Sequence, residues 1–460
     1  MKKTKIYVSL LFVSITITSF AKITQISQGC NAFACDLYAQ LKTNEGNLFF
    51  SPYNIANALA IVYAGAKKET ETQMSKVLHN NLPQKEFHSS FAKLIKMLSD
   101  SSLRQGFGGR HALDPFGKPQ GKAKAKYDLD IASKLFIQDG FKLLTPFVNT
   151  IKTNYTDAFA QINFANSKAA SDTINRWVAK NTNDKIKNLV SSNDLNELTK
   201  MVIASAIYFK GKWVKQFKKT DTAISKFHIN KEKKIDVHMM HQTESFKYME
   251  NDALQMVELP YLGDSLSMII ILPKEIDGLK KIEPTLTIEN IKKWLAHLKE
   301  EKIRVSLPRF KMEESYKLKQ YLSQMGMPLA FSNEADFSGI DGTTNLTISK
   351  ILHKTFIETD EQGTEAAAAT AVVMRLKSVY MPMQSFVADH PFIILIKEKQ
   401  NDLILFMGRV AEPTKAAKEE PVKPTKAKEE PAGFSFTRIF NIIKKSLYDF
   451  YQTIKKRIVG

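Results

Sequence analysis

The chain has 460 residues, with 66 Lys and Arg against 47 Asp and Glu, a formal charge of +19. Its 43% hydrophobic and 25% charged residues are a globular balance and exclude wholesale disorder. Two cysteines exclude a disulfide-dense scaffold and a four-cysteine zinc site, and no apolar run reaches the ~18 residues of a spanning helix, which excludes a multipass membrane protein.

Lys2, Lys3 and Lys5 precede an apolar stretch from Ile6 to Phe20, and the small residues Ser19 and Ala21 suit signal peptidase. Residues 1–21 are expected to be a secretory signal cut after Ala21, making the mature chain extracellular. Secretion gives meaning to two sequons, Asn154-Tyr155-Thr156 and Asn345-Leu346-Thr347, as candidate glycosylation sites. Cys30 and Cys35 sit in a helical pattern with Phe33, Leu37 and Leu41. Five residues of helix advance ~7.5 Å, beyond the ~7 Å reach of a disulfide, so a bond requires Cys30 to lie off the helix. The alternative is one buried and one exposed thiol.

Glu86–Leu98 has Phe87, Phe91, Leu94, Ile95 and Leu98 on one face of an expected helix, with Lys93 and Lys96 on or near the other. Residues 101–127 then hold five Gly, two Pro and six Lys or Arg against one Asp, which reads as a loop without a core. Gly106-Phe107-Gly108-Gly109 lacks the Gly-Lys-Ser/Thr ending and the preceding strand of a phosphate loop. Lys93, Lys96, Arg104, Arg110, Lys122, Lys124 and Lys126 are candidate polyanion contacts, for a heparin-like glycosaminoglycan acting as accelerator; a merely solvated insertion is the alternative.

Val202–Phe209, Leu266–Leu272, Ile303–Leu307 and Phe392–Ile396 have the length and composition of buried strands. Asp172–Lys180, Ile288–Leu298 and Tyr316–Gln324 have helical spacing, the last stopped by Gly326. No linker-like break interrupts residues 22–412, so they are expected to form one large α+β domain. His238 and His241 have the wrong spacing for a helical zinc pair. Asp389-His390 with Ser378 lacks a Gly-x-Ser-x-Gly elbow, and Glu313-Glu314 reads as a solvated pair. No metal site, catalytic residue or organic cofactor is expected.

Residues 356–378, FIETDEQGTEAAAATAVVMRLKS, break local rules. Glu361-Gln362-Gly363 suits a turn, and Thr364 to Thr370 then carries small side chains apart from Glu365. Alanine favours helix, while Ala371-Val372-Val373 favours strand. With period-2 alternation Thr364, Ala366, Ala368 and Thr370 share one face, small enough to be buried in a sheet, and Glu365, Ala367 and Ala369 share the other. An ordinary Ala-rich helix is the alternative.

Residues 413–433 contain PTKAAKEEP and then PTKAKEEP, an extended solvated linker. Residues 434–460 return to helical spacing, with Phe436, Ile439, Phe440, Ile443 and Leu447 against Arg438, Lys444, Lys445, Lys455, Lys456 and Arg457. This is a cationic amphipathic helix suited to an anionic membrane or a partner groove, unless it docks on its own body. Residues 1–21, 101–127 and 413–460 together carry +14 of the +19, which argues against a nucleic-acid-binding body.

Taken in order, these residues resemble the serpin family over about 27–413. The carriers are Asn47-Leu48-Phe49-Phe50-Ser51-Pro52, Phe209-Lys210-Gly211-Lys212-Trp213, Leu352-His353-Lys354, the hinge Glu361 to Thr370, Asp389-His390-Pro391-Phe392 and Leu405 to Val410. The resemblance implies three β-sheets, about nine helices and an exposed reactive loop. It also implies a metastable monomer that inhibits proteases by suicide. A protease cuts the loop, forms an acyl ester, and is dragged along as the loop enters the central sheet. Family loop length puts the cut after Lys377, at Lys377-Ser378, and a Lys suits trypsin-like enzymes; Arg375 is the rival. Ser51 and His353 would belong to the shutter where the sheet opens, and Trp213 to the breach where insertion begins. Arg309 would pair with Glu361. Ser205 departs from the family's usual shutter asparagine. A non-inhibitory carrier and a membrane- or glycan-anchored binding protein are the competing functions.

Overall fold

The computed structural model describes residues 2–99, 127–364 and 384–414, with side chains over 21–98, 127–363 and 384–414. The chain separates into two compact units, residues 1–416 and 417–460. The amphipathic segment 434–460 and nearly all of the linker 413–433 lie outside the described residues, as does 101–126.

In chain order the first strands are β1 (Leu48–Phe50), β2 (Tyr127–Gln138), β3 (Phe159–Ile162), β4 (Met201–Lys212) and β5 (Thr222–His228). Then come β6 (Lys234–Glu250), β7 (Leu254–Pro260), β8 (Leu266–Pro273), β9 (Lys299–Pro308) and β10 (Phe310–Lys317). The last are β11 (Ile348–Asp360), β12 (Gly363–Thr364), β13 (Ser385–Val387), β14 (Phe392–Glu398) and β15 (Leu403–Val410). The helices are α1 (Lys2–Leu41), α2 (Pro52–Tyr63), α3 (Lys68–Val77), α4 (Gln84–Ser99) and α5 (Thr145–Asn154). After them come α6 (Ser167–Asn181), α7 (Leu279–Ile282), α8 (Ile288–Ala296), α9 (Lys319–Gln324) and α10 (Ser338–Asp341).

The fold is a serpin-type α+β architecture. One sheet has six strands in the order β10-β11-β12-β4-β2-β3. The other two expected sheets are joined by hydrogen bonds into one nine-stranded sheet, in the order β1-β15-β14-β8-β7-β6-β9-β13 with β5 branching from β6. The joint is the 17-residue strand β6, which pairs with β9 from Met239 to Tyr248 and with β7 from Lys247 to Glu250.

Period-2 alternation in β4 explains how the six-stranded sheet is buried on both faces. Met201, Ile203, Ile207 and Phe209 face the main core, with the wholly buried helix α2. Val202, Ala204, Ala206 and Tyr208 face a second cluster built from Ile174 and Val178 of α6 and from Ile186 and Val190. Ser205 and His353 fall on the core-facing register of β4 and β11, and Lys354 on the face under α6.

Several expected boundaries change. Tyr127 is buried and pairs with Gly211, so strand β2 begins inside the expected insertion 101–127. Tyr316 closes strand β10 rather than opening a helix, because alternation buries Met312 and Tyr316 on one face; the helix starts at Lys319. Gly326 takes φ +117° just past that helix, the left-handed stop a glycine permits. Both cysteines lie on the unbroken helix α1, and both are free and buried. Neither a disulfide nor an exposed thiol results, because α1 is enclosed on both of those sides, and burial pushes each thiol pKa up to about 12. The Glu313-Glu314 pair is split by alternation: Glu313 binds Lys354 at 2.7 Å, while Glu314 is half-buried and burial pushes its carboxyl up to about 7.

Candidate functional site at the head of the six-stranded sheet

Strands β4 and β11 run parallel and pair directly from Met201–Ile348 up to Tyr208–Phe356. Above that point they part, and β12 lies between them. Gly363 and Thr364 pair with Lys212 and Gly211 on one side and with Asp360 and Thr359 on the other. The sheet is therefore a closed seam with a wedge of two residues at its head. Gly363 adopts φ +146°, and a Cβ there would stand 2.0 Å from the Gly211 carbonyl oxygen. Only glycine lets the backbone turn into the wedge.

Arg309 and Thr222 fix the wedge through Glu361, which is buried. Arg309 Nε donates to Glu361 Oε1 at 2.9 Å, its guanidinium makes a second bond to the same oxygen, and Thr222 Oγ1 donates at 2.6 Å. Burial works against the ionised carboxylate, but these hydrogen bonds outweigh it and hold Glu361 below its ordinary pKa. Trp213 stacks on Tyr261 with ring centroids 4.5 Å apart and donates from Nε1 to the Asp360 carbonyl at 3.1 Å. Its backbone N–H donates to the Gln362 carbonyl at 2.8 Å, and Phe217 N–H to the Glu361 carbonyl at 2.8 Å.

Lower down, His353 bridges the seam. The Ser51 backbone N–H can only donate, so His353 Nε2, 3.0 Å away, is the acceptor. The proton is then on Nδ1, which donates to Ser205 Oγ at 2.9 Å. Complete burial lowers the His353 pKa to about 3, so the ring is neutral at physiological pH. Ser51 also caps helix α2 by accepting from Asn54 N–H, and donates to the Leu405 carbonyl at 2.6 Å. Thr355, two residues along β11, donates to the Phe49 carbonyl at 2.6 Å.

Residues 28–413 match the family model described as Serpin (serine protease inhibitor). This chain belongs to the serpin family. It is 38% identical over 397 residues to human serpin B4, covering 85% of this chain and 100% of that protein. Its identity to the bovine leukocyte elastase inhibitor is 38% over 400 residues, with 85% and 100% covered. Among solved structures it is similar to uncleaved ovalbumin, with a TM-score of 0.72, 30% identity and coverage of 85% and 100%. It is also similar to human thyroxine-binding globulin with thyroxine bound, with a TM-score of 0.74, 30% identity and coverage of 86% and 100%.

In this serpin the structure brings together two groups of the expected residues: Glu361, Arg309, Trp213 and Gly363 at the head of the seam, and Ser51, Ser205 and His353 below. Thr364 is described by its backbone alone. Glu365, Ala366, Ala367, Ala368, Ala369, Thr370, Arg375, Lys377 and Ser378 lie outside the described residues, as do Arg104, Arg110, Lys122, Lys124 and Lys126. Lys93 and Lys96 are exposed on α4. Asn345 is exposed, whereas the half-buried Asn154 donates its side-chain amide to the Thr150 carbonyl at 2.8 Å.

Three contributors escaped the sequence reading. Thr222 and Tyr261 carry no local signal, since their partners lie far along the chain. Asp360 did carry one: an Asp three residues before a Gly is the signature of a tight turn. His390 holds Asp389 through Nδ1 and the Pro273 carbonyl through Nε2, each at 2.8 Å, so both ring nitrogens are structurally engaged. His241 is held by Ser306 Oγ at 2.8 Å.

Proposed function

We propose that this serpin is an extracellular suicide inhibitor of trypsin-like serine proteases. The observation that carries the reading is the wedge: Gly363 and Thr364 already pair between β4 and β11 while the seam beneath them is closed. The next residues, Glu365 to Thr370, are small apart from one Glu, so the strand can lengthen down the seam without a steric block. Non-inhibitory loops would be expected to carry bulky or charged groups there.

The chemistry follows from the loop. A protease serine attacks the Lys377 carbonyl carbon, the Lys377–Ser378 bond breaks, and the Ser378 amine leaves with a proton. Lys377 remains as an ester on the protease. The freed segment then extends β12 and carries the protease away before water reaches the ester. The Lys377 ammonium suits a specificity pocket that holds a carboxylate.

The signal-like residues 1–21 and the exposed sequon residue Asn345 support secretion and glycosylation. Lys93 and Lys96, with the basic insertion, support capture of a heparin-like glycosaminoglycan as accelerator. Residues 434–460 support tethering to an anionic membrane.

Incubation of the secreted protein with trypsin, a denaturing gel and mass spectrometry of the released peptide test the reading. An SDS-stable adduct with a peptide starting at Ser378 is expected. Complete cleavage without an adduct would favour a carrier, the reading that the likeness to thyroxine-binding globulin supports.

A further inference from the structure

We infer that Asp360 is a positioning residue that folds the insertion turn before the loop is cut, an inference that deepens the inhibitor reading and rests on it. The turn joins β11 to β12 through only two residues, Glu361 and Gln362, with Asp360 and Gly363 paired across it. Two-residue hairpins prefer turns with positive φ at the first central residue or at both, because those match the strand twist. Neither Glu361 nor Gln362 has a positive φ. The turn therefore needs support from outside its own backbone.

Two sources supply it. From one side, the segment 213–217 binds the carbonyls of all three residues from Asp360 to Gln362: Trp213 Nε1 to Asp360, Phe217 N–H to Glu361 and Trp213 N–H to Gln362. From the other side, Asp360 Oδ1 accepts the N–H of Gln362 at 2.9 Å and of Gly363 at 3.3 Å. Those two amides are the ones that aim the chain back down the seam. With Asp at the first position and Gly at the fourth, the side chain closes the turn that the backbone alone does not favour. Asp360 is half-buried, so an orphaned pair of amides there would not be fully repaid by water.

The consequence is kinetic. The insertion strand lengthens from a hairpin that already exists, instead of first having to close one. Removing the acceptor makes the turn fray, and insertion then competes less well with hydrolysis of the acyl ester.

The test compares Asp360→Ala, Asp360→Ser and Asp360→Asn with the wild type in the full-length protein. Stoichiometry of inhibition is measured against trypsin, and the melting temperature of the uncleaved form is recorded beside it. Asp360→Ala is expected to raise the stoichiometry roughly five- to tenfold, as loss of one or two such hydrogen bonds implies. Asp360→Asn, which keeps the Oδ1 acceptor, is expected to stay within about twofold of wild type, and Asp360→Ser to fall between. Unchanged stoichiometry for Asp360→Ala, or an Asp360→Asn as impaired as Asp360→Ala, overturns the inference. A second arm separates it from the inhibitor reading. The loop is nicked with papain, and the rate of the resulting gain in thermal stability reports insertion without any trapped protease. If wild type traps no trypsin, the inhibitor reading fails, while slower insertion in Asp360→Ala than in Asp360→Asn still upholds the role of the turn and equal rates overturn it. If Asp360→Ala does not fold, Asp360→Ser against Asp360→Asn decides in both arms.

Discussion

His353 and Ser205 face each other across the seam as register partners on β11 and β4, joined by a 2.9 Å hydrogen bond between Nδ1 and Oγ. Any strand that enters the sheet must break this bond. Neither partner can turn to water, because both side chains are wholly buried. The bond therefore stabilises the closed form and would be lost on the proposed insertion.

Ser205→Ala leaves the His353 Nδ1–H without its acceptor, which costs about 1–3 kcal/mol in the closed form. The uncleaved protein should melt several degrees lower and lose inhibitory activity faster on prolonged warming, as the loop inserts without cleavage. Calorimetry and residual trypsin inhibition measure both. Unchanged melting would mean that the seam does not depend on this bond.

Two groups, the buried His353 and the half-buried Glu314, give the uncleaved protein opposite pH dependences. His353 has a pKa near 3 when folded and an ordinary value of 6.5, so the folded form binds fewer protons in between. Its share of stability is full above about 6.5 and is lost as pH falls toward 3. Glu314 has a pKa near 7 when folded against 4.5, so the folded form binds more protons in that window. Its effect is a stability loss that grows as pH rises from about 4.5 to 7 and is complete above. Glu314→Gln should therefore raise the melting temperature at pH 8, leave it nearly unchanged at pH 4, and leave in place the acid limb that His353 shares with buried His88 and with Glu361. A melting series across pH, with and without the substitution, checks both signs.

Gly363→Ala places a methyl group against the Gly211 carbonyl, where 2.0 Å is available, at a φ of +146°. Strain of about 1–3 kcal/mol is expected to expel β12 from the wedge. Limited proteolysis should then cut near Gly363 in the uncleaved protein, and the yield of SDS-stable adduct should fall. Retained adduct with wild-type protease resistance would show that the wedge is dispensable.

Lys377→Leu removes the ammonium that a carboxylate-bearing pocket reads, and should slow adduct formation with trypsin roughly a hundredfold or more. Should Arg375 be the residue recognised, the change would matter little and the released peptide would begin at Leu376. Ala368→Pro acts at a different step. It leaves cleavage intact but cannot donate to the growing ladder, so cleaved serpin should accumulate without adduct. A stable adduct from that variant would contradict the insertion mechanism.

What the amino-acid sequence determined was local or compositional. The face of Phe87, Phe91, Leu94 and Leu98 marks α4, and the apolar run from Val202 to Phe209 marks the middle of β4. The small residues after Gly363 make insertion sterically open, and the pairing of Arg309 with Glu361 came through the family pattern. Periodicity and side-chain size act within a few residues, so a single chain displays them.

Tertiary structure decided the rest. It supplied Ser205, 148 residues from His353, as the acceptor of the imidazole proton, and Thr222, 139 residues from Glu361, as its second donor. It enclosed both Cys30 and Cys35 on α1 and joined two expected sheets through β6. It also set the segment 213–217 against the carbonyls of the turn at Asp360, opposite the amides that the Asp360 carboxylate holds. These are contacts between segments far apart in the chain. They depend on which faces are brought together when the sheets pack, and no local spacing encodes that.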